Sequence, residues 1–177
     1  MSKAALKKEL VTFTNEQLVE VILNAYSSSK EAKAYFEFFL NPDADALFDK
    51  KVDIIAKELS RSKWGYCKAR ISIIRSCIKD FEAYGVSPDY VARLMFATLR
   101  MLVGQYRYLN YGEPLLKGVG RLTSDYIEYA HAHGFATEAL AKITNLTEEE
   151  GLGTPQMRNS VRAKALSTIE ELTCGKK

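Results

Sequence analysis

Residues 87–112, SPDYVARLMFATLRMLVGQYRYLNYG, read as one long helix, and the other segments read as its cover. Ser87 can act as N-cap, Pro88 takes the first helical position where no amide donor is needed, Asp89 suits the positive helix end, and Gly112 supplies a stop. Between these signals Val91, Leu94, Met95, Thr98, Leu99, Leu102, Tyr106 and Leu109 recur at three- and four-residue steps and share a face. Phe96, Met101 and Val103 widen that face, as expected of a helix touched from several sides. A helix of this length would span roughly 36 Å, about the diameter of a small domain.

With 177 residues, 47% of them hydrophobic and 27% charged, the chain has the balance of a folded protein, expected as a single helical domain over 1–177. The net charge of +3 is small, so its distribution matters more than its sum. Cys67, Cys77 and Cys174 match no zinc or redox spacing and read as reduced thiols. The opening MSKAALKKEL lacks the apolar core of a secretion signal, and no run of eighteen apolar residues occurs. These features predict a cytoplasmic protein with no membrane partner.

The flanking segments are helical by the same reasoning. Ser2 can cap a short first helix, and Thr14 with Gln17 forms a T-x-x-Q capping box for a second that turns Leu18, Ile22, Ala25 and Tyr26 inward. The serines at 27–29 offer a cap for a third, with Ala32, Tyr35, Phe36 and Phe39 on its buried side. Phe48, Val52, Ile55 and Leu59 mark a fourth, and SRSKWGYC at 60–67 is aperiodic and reads as a loop. A fifth helix runs from Lys68 to Gly85 through Ile71, Ile74, Ile78 and Phe81. After the long sixth helix, Glu113-Pro114 starts a seventh that Gly118 and Gly120 loosen, Thr137 caps an eighth, and Thr154-Pro155 opens the last. The class is all-α: eight to nine helices in antiparallel hairpins around a central helix, as an irregular bundle or a short HEAT- or TPR-like superhelix.

The segments SKAALKKELVTFTNEQLVEVILNAY, EAKAYFEFFLNP and KARISIIRSCIKDF together resemble a family of small bacterial proteins known only as a domain of unknown function, over about residues 2–100. The resemblance implies a helical cytosolic protein and brings no activity, cofactor or catalytic residue.

Candidate site residues come from charge. Between Lys57 and Lys79 seven cations, including Arg61, Lys63, Lys68, Arg70, Arg75 and Lys79, stand against the single acid Glu58, with Trp64 and Tyr66 among them. A basic loop with exposed aromatics can hold phosphates and stack a base. Arg93, Arg100 and Arg107, seven apart, form a second stripe, and the two rows make one basic surface if they face the same side. The bland alternative is that Trp64 closes the end of the core and the arginines pair with Glu82, Asp125 or Glu128. His131 and His133 cannot share one metal from a single turn and read as helix-end cations; no catalytic motif and no cofactor site is legible. Tyr106, Tyr108, Tyr111, Tyr126 and Tyr129 read either as buried rings or as a docking patch. The sequence therefore points to a non-catalytic interaction module, with a protein partner or a second copy of itself expected and nucleic acid as the alternative.

Overall fold

The computed structural model describes residues 1–105 and 111–174. Among them are nine helices and one two-stranded hairpin, so the class is all-α. The chain divides into two compact units, residues 1–43 and 44–177.

The first unit holds α1 (Lys3–Leu10), α2 (Asn15–Ser28) and α3 (Lys30–Leu40). Its helix starts follow the sequence signals. The Ser2 hydroxyl accepts from the Ala5 amide at 3.2 Å, Ser29 accepts from Ala32 at 3.1 Å, and both halves of the Thr14–Gln17 capping box are formed, at 2.9 and 3.3 Å. What differs is the interior. None of the three helices contains a buried residue. Leu18, Ala25, Tyr26, Ala32 and Phe36 are half-buried, while Ile22, Tyr35 and Phe39, read from the sequence as inward, are exposed. Two short helices packed side by side cannot enclose a volume, so an apolar stripe wider than their shared seam stays outside.

The second unit holds α4 (Ala44–Leu59), β1 (Ser62–Lys63), β2 (Tyr66–Cys67), α5 (Ile71–Ala83), α6 (Pro88–Gln105), α7 (Glu113–Ala132), α8 (Ala136–Glu148) and α9 (Pro155–Cys174). The long helix is central to it. Val91, Leu94, Leu99, Leu102 and Val103 are fully enclosed, and α6 packs against α4, α5 and α7. It is described to Gln105; 106–110, expected to continue it, lie outside the described residues, and Tyr111 is not helical. The hub is shared with α7, which packs against α5, α6, α8 and α9. Each has a wide apolar face, and the burial of one large aliphatic side chain contributes about 1.5–3 kcal/mol. No described helix is long and apolar enough to cross a membrane.

Three local readings are corrected. The segment expected as a plain loop at 60–67 contains the β1–β2 hairpin. Helix α5 spans Ile71–Ala83, so Lys68, expected to open it, precedes it. Helix α8 starts at Ala136, directly after Phe135 and with no side-chain cap, so Thr137 lies inside it.

Helix α7 is continuous through both glycines, and the two differ in how close their neighbours come. A Cβ at Gly118 would sit 2.5 Å from Ile71 Cγ1, whereas at Gly120 the nearest atom would be Lys164 Cγ at 3.8 Å. Alanine is the better helix former by about 1 kcal/mol, but overpacking costs about 1–3 kcal/mol. Gly118→Ala is therefore expected to lower the melting temperature and Gly120→Ala to hold or raise it, as thermal unfolding of the two variants will measure.

Candidate functional site

Between α4 and α5 the chain reverses in a tight hairpin. Ser62 pairs with Cys67 and Lys63 with Tyr66, which leaves Trp64 and Gly65 as a two-residue turn. Both have positive φ, 56° and 76°, as the type I′ turn that suits paired strands requires. Glycine takes this conformation freely. An L-residue with a Cβ is disfavoured there by about 1–2 kcal/mol, and asparagine tolerates it best among the others. Trp64 is also not held by packing, being 87% exposed, so it does not close the core. Tyr66 is half-exposed beside it, while Cys67 turns inward with its thiol 3.6 Å from the Leu59 carbonyl and 3.7 Å from Gln105 Oε1.

The base of this hairpin is fixed by Glu58. Its nearly buried carboxylate accepts from Arg70 Nε at 2.9 Å, Arg70 Nη2 at 2.8 Å and the Arg70 amide at 2.9 Å, and lies 3.6 Å from Arg61 Nη1. One anion thus ties the residue before the hairpin to a residue after it, and the Lys68 amide closes the ladder on the Arg61 carbonyl at 2.7 Å. Bidentate, charge-assisted bonds of this kind are the strong ones. The Arg70 side-chain bonds hold the Glu58 carboxyl at about 2, down from 4.5, against the opposing effect of burial.

The other described candidate arginines are matched to acids. Arg75 binds Asp125 through Nε at 2.7 Å and Nη2 at 2.9 Å, and Arg100 binds Glu149 at 2.7 and 2.9 Å. Arg93 lies 3.7 Å from Asp45 with its guanidinium 4.5 Å over the Phe48 ring. Arg107 lies outside the described residues. Lys63, Lys68 and Lys79 are exposed and make no ion pair among the described residues.

The two basic rows do not share one surface. Arg75 and Lys79 border a cleft of about 250 Å³ between α5 and α7, with Val91 and Met95 of α6 in its floor. Arg93 and Arg100 lie roughly half a turn round α6 from those floor residues and reach toward α4 and the end of α8. Glu82 and Glu128 also line the cleft, and burial, with the nearby Glu82 charge, pushes the Tyr129 phenol upward.

Other candidates fall into place in the packing. Tyr126 is buried against Phe96, Tyr129 lies against His133 with ring centroids 4.4 Å apart, and the Tyr111 hydroxyl donates to Gln156 at 3.0 Å. Tyr106 and Tyr108 lie outside the described residues. His131 is in the last turn of α7, and His133 ends that helix. Among the described residues no group of three His, Cys, Asp or Glu side chains is placed to hold a metal ion. The residue that charge counting passes over is Glu58, although a lone acid among seven cations is itself the signal for it.

A family model described as a family of unknown function (DUF6155) matches residues 1–164, and the chain belongs to that family. No curated protein and no solved structure matches the chain.

The hairpin can be tested at its base and at its tip. Because the Glu58 carboxyl is held below its ordinary value, the stability it contributes is complete above about pH 4.5 and is lost as pH falls toward 2. Glu58→Gln should therefore melt below the wild type at neutral pH, and the gap should close over that acid window in melting curves run against pH. Trp64→Asn should relieve the turn and leave stability equal or higher by up to about 1 kcal/mol in denaturant unfolding.

Proposed function

We propose that this member of a family of unknown function is a non-catalytic interaction module, and that residues 1–43 supply the surface that holds its protein partner. The observation that carries the reading is a unit of three helices with no buried residue and a wide apolar surface. Val19, Ile22 and Leu23, at steps of three and one, stand out along α2, and Tyr35 and Phe39 stack on α3 with centroids 6.5 Å apart. Between α1 and α2, Leu6, Leu10, Val11, Phe13 and Leu18 line a groove of about 580 Å³. Apolar surface gathered in this way marks a docking site more often than it marks a surface left to water. An amphipathic helix laid into such a groove, with anchors at three- and four-residue steps, is the matching kind of partner segment.

The same reading covers association of the chain with itself, which purified protein tests directly. Sedimentation or light scattering across a concentration series is expected to report self-association that Leu23→Asp or Phe39→Asp abolishes, with the melting temperature unchanged. A chain that stays monomeric at every concentration removes the self-association form. A large drop in melting temperature in both variants removes the docking reading altogether, since those side chains would then belong to the protein's own interior.

A further inference from the structure

We propose that the β1–β2 hairpin is a stacking finger for single-stranded nucleic acid, with Trp64 as the ring on which a base lies. The hairpin belongs to the second unit and none of its residues lies within 1–43, so the proposal is tested independently of the docking function.

Three observations converge on it. The first is Trp64 itself, a large ring kept in solvent at a backbone conformation that disfavours it, where asparagine would sit relaxed. Nothing among the described residues uses the ring, and strain retained at an exposed position points to something outside that does. The second is preorganisation. The Glu58 clamp on Arg70 and Arg61, together with the inward Cys67, holds the backbone at the base of the hairpin before any partner arrives, so side chains rather than chain are left to be ordered on binding. The third is charge. Lys63 and Lys68 flank the aromatic pair Trp64 and Tyr66 and make no ion pair among the described residues, whereas Arg75, Arg93 and Arg100 are matched to acids. Four cations of the tract are left without an acid among the described residues: Lys57 and Lys79 lie on helices, whereas Lys63 and Lys68 sit on the finger, interleaved with rings.

This chemistry favours one occupant. A membrane anchor presents several apolar side chains at its tip, and 60–69 holds Trp64 as the single large one besides the half-exposed Tyr66. A protein pocket closing over Trp64 would also have to cover the neighbouring Lys63, and lysine is depleted at the core of such interfaces. Stacked bases with phosphates beside them satisfy both groups at once, without removing the lysines from water. The footprint is small, so binding is expected to be weak and indifferent to sequence.

Trp64 is the sole tryptophan of the chain, so its fluorescence reports on the finger directly. The full chain would be titrated with oligothymidylate of about 15 nucleotides, within the usual site size of single-strand binders. At about 20 mM salt saturable quenching is expected, with log affinity falling against log salt at a slope of about −1.4 to −2.1 for two to three phosphate contacts. Anisotropy of a labelled oligomer would follow the variants: Trp64→Asn is expected to weaken binding about five- to hundred-fold. Its melting temperature should not fall, which separates loss of the ring from loss of the fold. Lys63→Glu with Lys68→Glu should weaken binding and flatten the salt slope. No quenching at low salt, or equal affinity in Trp64→Asn, overturns the proposal. A blue shift on anionic phosphatidylserine vesicles with no response to the oligomer overturns it in favour of a membrane surface.

Discussion

Burial of the apolar faces of α6 and α7 is the constraint from which the second unit follows. Each face is wider than one neighbour can cover, so α4 and α5 close on one helix and α8 and α9 on the other, while the two pack together. Long cationic side chains are then pushed to the margins, where they meet carboxylates carried by neighbouring elements: Asp45 from α4, Asp125 from α7, and Glu149 just after α8. These half-exposed pairs add little to stability. Their effect is on the outside field, because they cancel charge that the linear sequence gathers into the arginine stripe and, at Arg75, into the basic tract.

Glu58 works differently from those pairs. Its carboxylate is almost wholly enclosed, and its bonds to Arg70 are short and bidentate, so removing it would leave a guanidinium and an amide without their acceptor. The hairpin that it closes is short, and two residues per strand give too few backbone bonds to hold such a structure alone. A salt bridge does here what strand length does elsewhere.

The legible part of the fold is the part written in periodicity and caps. The steps of three and four in α4 through α7, the Thr14–Gln17 box, and Thr154, whose hydroxyl accepts from the Met157 amide at 3.2 Å, are local signals with local outcomes. The exposure of α2 and α3 is not legible, because their period fixes which residues share a side and says nothing about whether anything covers it. The hairpin hides for a related reason: strands of two residues carry no alternation to read. The site is half visible. Charge density marks 57–79 and singles out Trp64, but which arginines meet an acid depends on contacts across about forty to fifty residues, such as Arg75 with Asp125 and Arg100 with Glu149. The sequence resemblance fades near residue 100, while family membership extends to 164.

The close approach of α5 to α7 at Gly118 reaches beyond this one chain. With Ile71 filling the space where a side chain at 118 would begin, residue 118 cannot grow unless residue 71 gives way. Relatives that enlarge residue 118 should carry something shorter at 71, so the two columns of a family alignment are expected to drift as a linked pair.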